Sequence, residues 1–229
     1  MMRKYDLQVH TVFSASPNYR FIRDAFTTYR DLVSQARMKG LSGVAITDHN
    51  TISGALKFAN YAKSEHLPIE IIVGEEVRTS SGDIIGLYLQ ERLPPFKSVR
   101  ETLDYIREQG GLAVAPHPLA RSGVKENAVR NFKFDALETE NANYGREMNT
   151  RARELAKTLT IAQVGGSDAH LAKNIGNSYT QIPDGMSLFK SIKQGRTEAV
   201  NERRNPGFSY NKRLLYQFKH VLPITVMIR

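Results

Sequence analysis

Cysteine is absent from this 229-residue chain, which rules out disulfides, thiolate zinc sites and cysteine nucleophiles. Any metal must be held by histidine, carboxylates or amides. Also missing is an apolar run approaching the ~20 residues that a bilayer span needs; the apolar stretch at 221–228 is too short, and no membrane partner is expected. A strand begins almost at the first residue with no apolar leader region, so the expected location is the cytoplasm. No internal repeat or low-complexity segment is evident. Acidic residues are in deficit, 23 against 32 Lys and Arg, leaving a net charge of +9. That balance suits an anionic substrate or a polyanionic partner, although a basic soluble surface produces the same sum. The bases thicken only near the end, at Arg203, Arg204, Lys212, Arg213 and Lys219.

What is present suits one large domain with a short appendage, since 41% hydrophobic and 24% charged is an ordinary globular balance. The expected division is a domain over 1–195 and a basic extension over 196–229 packed against it. In the first strand, residues 5–11, Leu7 and Val9 alternate with Asp6, Gln8 and His10, which predicts three polar groups on one face. A Ser/Asn/Pro-bearing loop over 13–29 precedes a helix at 31–39, ended by Gly40. Strands follow at 43–46, 69–73, 84–89, 112–115, 136–141 and 161–164. Helices fall at 52–65, at 98–109 with Ser98 and Glu101 in capping-box spacing, and at 145–159. Past Gly195 the pattern turns irregular, with a helix expected at 212–220.

Strands separated by helices imply a mostly parallel sheet, either doubly wound or closed into a barrel. The polar residues decide between them. They sit at strand ends, at positions 10, 48, 49, 76, 117, 141, 168 and 170, spread over the whole length. A barrel brings such ends to one rim; an open sheet leaves the outer strands too far apart to share a site. Four of the six histidines, His10, His49, His117 and His170, are in this set. Read alone, each would be an ordinary core or loop histidine. Together with Glu76 and Asp168 they form a donor set suited to zinc, manganese or iron. His66 and His220 lie in helical or terminal contexts and stand apart.

In order, Asp-x-x-x-His-Thr (6–11), Thr-Asp-His-Asn (47–50), Gly-Glu-Glu-Val (74–77), Ala-Pro-His-Pro (115–118), Glu-x-x-Asn (138–141) and Ser-Asp-Ala-His (167–170) resemble the polymerase and histidinol phosphatase, or PHP, family. The similarity covers about residues 4–180. It implies an α/β fold, a distorted seven-stranded β/α barrel of TIM-like form, carrying one to three divalent ions and hydrolysing phosphoesters with metal-activated water. Glu76 matches the carboxylate that bridges two ions. His10 and Asp168 match ligands of one ion, His117 a ligand of its neighbour, and His49 and His170 ligands of a third. Asp48 and Asp6 match groups that orient the histidines, Asp6 also fitting a purely structural role, and Glu75 a bystander on the other face. His170 and Asp168 are the expected catalytic groups, with Arg121 adding positive charge. Asn141 and Arg121 are the candidates for holding phosphate, and Arg146 reads better as solvated surface.

Three departures stand out. Gln8 occupies the place of the first histidine in the family's His-x-His motif and is expected to ligate as a poorer, neutral donor. Ser14-Ala15-Ser16 stands where a further Asp or His belongs, which weakens the third site. No histidine lies between Glu76 and His117, and Asp83 is the nearest substitute. The expected substrate is a nucleotide, an oligonucleotide or a phosphorylated small molecule. The alternative is a degenerate domain that keeps a structural metal and serves as a nucleic-acid-binding or regulatory module.

Overall fold

A computed structural model of the protein describes residues 2–15 and 23–202. Ser16, the basic cluster from Arg203 onward, the expected helix at 212–220 and the apolar end lie outside the described residues. The Val- and Ile-rich segments form one nine-stranded sheet. Its strands are β1 (Met2–Val9), β2 (Gly43–Ile46), β3 (Glu70–Thr79), β4 (Gly82–Leu87), β5 (Leu112–Ala115), β6 (Ala136–Asn141), β7 (Ala162–Gly166), β8 (Ser178–Pro183) and β9 (Glu198–Asn201), ordered β7-β6-β5-β4-β3-β2-β1-β8-β9. The helices are α1 (Tyr29–Met38), α2 (Ser53–Ser64), α3 (Val99–Glu108), α4 (Glu126–Asn131), α5 (Arg146–Leu159) and α6 (Leu188–Lys193). None of them is long and apolar enough to cross a membrane.

The expected seven strands are therefore nine, and the sheet is not mostly parallel. Four neighbouring pairs are parallel (β1/β2, β2/β3, β5/β6, β6/β7) and four antiparallel (β3/β4, β4/β5, β1/β8, β8/β9). The physical reason at β3/β4 is a tight turn in place of a crossover helix: Gly82 holds φ 111°, a conformation open to glycine, and reverses the chain at once. β9 pairs with β8, so the sheet runs past residue 195. The two ends of the sheet approach each other and nearly close it. Gly165 N–H donates to Thr180 Oγ1 at 2.9 Å, Ser178 Oγ donates to Glu140 O at 2.7 Å, and His10 N–H donates to Ala169 O at 2.9 Å.

Alternation of side chains sorts the core into an inside and an outside. Leu112 and Val114 pack with Tyr5, Leu7, Ala45, Ile72, Ile85 and Val164, while Ala113 and Ala115 pack with α3 residues Leu103 and Ile106. At two places the alternation breaks. The β1/β2 register shifts between Asp6 and Val9, and the β6/β7 register between Glu138 and Glu140. An extra residue at such a bulge re-aims the side chains beyond it. The expected single polar face of β1 is thereby corrected: Leu7 joins the inner apolar cluster, Asp6 bonds to loops elsewhere, and Gln8 and His10 turn toward the rim.

Candidate metal centre

Each rim residue is delivered by the buried end of a strand or by the turn just after it. Buried strand residues fix the backbone, so the first residues beyond them are held closely in place. β1 leads to His10, β2 to Asp48 and His49, β5 to His117, and β7 to Asp168 and His170. Glu76 differs from expectation in standing inside β3, which continues to Thr79 because it pairs with β4. His117 and Asp168 have left-handed backbones, φ 28° and 51°, a costly state for residues with a Cβ that clusters at functional sites. Asn143 Nδ2 steadies one of them by donating to the Asp168 carbonyl at 2.8 Å.

The donor atoms converge on Glu76. His10 Nε2 lies 3.2 Å from Glu76 Oε2 and 3.3 Å from Asp168 Oδ1, yet makes no aligned hydrogen bond with either. Two donors each ~2.1 Å from one cation at tetrahedral or right angles are separated by ~3.0–3.4 Å, so this spacing fits ligands of a shared ion. The other oxygen, Glu76 Oε1, faces His117 Nε2 at 3.1 Å. A carboxylate with one oxygen toward each group is placed to bridge two ions. Beyond it, His49 Nε2 and His170 Nε2 both face Asp24 Oδ2, at 3.5 and 3.9 Å. Ring nitrogens of His10, His49 and His170 fall within 4.8 Å of one another. Asp24 Oδ1 and His117 Nδ1 are buried without a hydrogen-bond partner. Unmet polar atoms are rare in interiors, and a divalent ion suits a site where several converge.

The charges tell the same story. Burial alone would push the Glu76 carboxyl up, but His49, His10 and His117 hold it well below its ordinary range. Burial likewise opposes ionisation of Asp168, and the close approach and positive charge of His10 overcome it. Burial disfavours the His10 cation, while Asp168 and Glu76 favour it and raise its pKa to about 10; for His117, Glu76 does the same against burial, raising it to about 9. Without an ion, protons on these imidazoles balance the carboxylates. An ion would take their place.

The remaining expected residues are placed as follows. Asp48 accepts from the Thr11 amide at 2.6 Å and the Thr11 hydroxyl at 2.7 Å. Asp6 accepts the backbone amides of Ser167 and Gly176, both at 2.8 Å. Both carboxylates thus pin loops around the site: for Asp48 this replaces the expected orienting of a histidine, and for Asp6 it is the structural role also expected. Glu75 faces away, accepting from Leu93 N–H at 2.8 Å. Asp83 pairs with Arg78 Nε at 2.6 Å, so its partner is a cation of its own hairpin. Arg121 and Arg146 are exposed. Gln8 and Asn141 do reach the rim and bond to each other at 3.2 Å.

Two residues were not foreseen as site groups. Asp24 supplies the carboxylate looked for at 14–16, so the set around His49 and His170 is not short of one. Ser14 has another task, accepting the His49 N–H at 3.2 Å and facing His10 Nδ1 at 3.4 Å. Glu138, whose pKa burial pushes up to about 8 against the pull of His117, accepts the His117 N–H at 2.8 Å and Asn141 Nδ2 at 2.9 Å. Its place in Glu-x-x-Asn was the only signal for it. Nothing in the local pattern marked Asp24.

The family model described as PHP-associated matches residues 146–197. An uncharacterized protein of Methanocaldococcus jannaschii is 41% identical over 117 residues, 50% of this chain and 67% of that protein. A second uncharacterized protein of the same organism is 33% identical over 191 residues, 79% of this chain and 71% of its own length. A solved two-domain protein of Bacteroides vulgatus, containing a predicted PHP-like metal-dependent phosphoesterase, matches with a TM-score of 0.70 at 19% identity, over 88% of this chain and 65% of that one. The chain spans about two thirds of the length of these proteins.

Proposed function

We propose, from its similarity to PHP proteins, that the chain is a metal-dependent phosphoester hydrolase. The observation that carries the reading is the unbonded convergence of His10 Nε2 on Glu76 Oε2 and Asp168 Oδ1, with the second Glu76 oxygen turned to His117. His10, Glu76 and Asp168 would hold one ion, Glu76 and His117 a second, and His49, His170 and Asp24 a third. These hard oxygen and borderline nitrogen donors suit zinc, manganese or iron. Bound there, divalent ions supply Lewis acidity toward phosphoryl oxygens and lower the pKa of water.

The chain's own residues orient and hold. The Asn143 amide fixes the Asp168 turn, and the Glu138 carboxylate fixes the His117 backbone. His170 Nδ1 lies 3.0 Å from the Asp168 carbonyl, which can only accept, so in the neutral ring the proton sits on Nδ1 and Nε2 is a ligand. Nε2 could give a proton to a leaving oxygen only from the charged ring. Arg121, exposed on the turn after His117, is the cation assigned to the phosphoryl group, and Asn141 supports the rim through its bond to Glu138. With a net charge of +9, a nucleotide, an oligonucleotide or another phosphorylated small molecule is the substrate class that fits. The test is release of phosphate or alcohol from a generic phosphomonoester and a generic phosphodiester with added manganese. Turnover that disappears with chelator supports the reading; salt-sensitive nucleic-acid binding with no turnover opposes it.

A further inference from the structure

We infer that Gln8 is a positioning residue and not a metal ligand: its amide nitrogen holds the Glu76 carboxylate, while its oxygen is turned to Asn141. The inference rests on the metal-centre reading above. It starts from a group whose role is fixed. A backbone N–H can only donate, and that of Asn143 lies 2.8 Å from one side-chain atom of Asn141, which must be Oδ1. The amide nitrogen of Asn141 is then the atom that faces Glu138 Oε2 at 2.9 Å and Gln8 at 3.2 Å. A donor there requires the oxygen of Gln8. Its Nε2 is left 3.1 Å from Glu76 Oε2, where a carboxylate accepts an N–H and repels an oxygen. The orientation is therefore set from both ends.

Turning the amide so that Oε1 met an ion beside Glu76 would place two buried NH2 groups face to face. Gln8 and Asn141 are both at most 1% exposed, so water could not repair the mismatch. The bulges in β1 and β6 make the arrangement possible, since they aim both amides into the rim. The consequence is specific. The ion beside His10 is offered three protein donor atoms, and one position that an imidazole at residue 8 would fill stays open, as catalytic sites require.

Cobalt(II) binding to the full chain, followed by its visible absorption bands, tests this. Wild type, Gln8→Leu, Asn141→Ala and the double variant are compared. The inference expects Gln8→Leu to bind as many ions as wild type with unshifted bands. Asn141→Ala, which frees the amide to turn its oxygen inward, should shift the bands, and the double variant should lose that shift. Loss of an ion, or shifted bands, in Gln8→Leu would make residue 8 a ligand and overturn the inference; a fall in affinity of about tenfold with unshifted bands is what loss of a contact that only positions Glu76 gives. Should Gln8→Leu fail to fold, Asn141→Ala decides: shifted bands support the amide lock and unshifted bands refute it. Wild type binding no cobalt is a different failure, which removes the metal centre itself.

Discussion

At His117 the chain accepts a left-handed backbone in order to aim Nε2 at Glu76, and Glu138 secures the turn through the His117 N–H. His117→Ala removes the imidazole and leaves that backbone bond in place. It should abolish turnover while the circular dichroism spectrum stays that of wild type; unchanged turnover would misplace the site. Asp24→Asn should weaken one class of bound ion by about tenfold or more, read by equilibrium dialysis, because a neutral oxygen replaces the carboxylate facing His49 and His170. The histidines were legible because each follows a short apolar strand. Asp24 was not, because it lies in an aperiodic loop and only folding brings it to His49.

Bulges, turns and caps decide what the elements present to the site. Strict alternation put Asp6, Gln8 and His10 on one face, but the register shift in β1 separates Asp6 from the other two. The strands at 43–46 and 112–115 were readable as compact apolar runs, and that at 136–141 was expected too although four of its six residues are polar; all three have those bounds. β8, β9, α4 and α6 were not, being only four to six residues long and mixed in polarity. The Ser98 and Glu101 capping box was legible and is formed, so Ser98→Ala should cost about 1 kcal/mol in urea unfolding. Gly54 gives a sharper test of α2. Alanine usually stabilises a helix interior by ~1 kcal/mol over glycine, but a Cβ at residue 54 would run into Asp48 Oδ2 and come within 2.8 Å of Thr11 Oγ1. Gly54→Ala should therefore lower both stability and ion affinity, by disturbing the clamp on the turn after His10. A gain in stability would show that α2 does not press on that clamp.

Across the whole molecule, the near-closed sheet concentrates buried charge at one end, and stability should report it. His10, His117 and Glu138, with pKa values raised to about 10, 9 and 8, bind protons more tightly folded than unfolded. Folding thus takes up protons between pH ~6.5 and 9, so stability falls as pH rises through that range. Glu76 and Asp168, held below their ordinary values, titrate in acid and do not offset the slope there. With chelator present, the urea midpoint should drop from pH 6.5 to 9. With excess manganese the added stabilisation should grow over the same interval, since ligands must lose protons to bind. Near-closure of the barrel was legible because polar strand ends were spread along the chain; the antiparallel pairing of β3 with β4 and of β8 with β9 across α6 was not, because strands alternating with helices read as parallel. If this rim holds ions that hydrolyse phosphoesters, the measurement that decides it is manganese-dependent hydrolysis of a generic phosphoester by wild type beside His117→Ala. Wild type should turn over, chelator should remove that turnover and the variant should lack it; no turnover by wild type with any divalent ion, or equal turnover by both, would rule the metal-dependent hydrolase out.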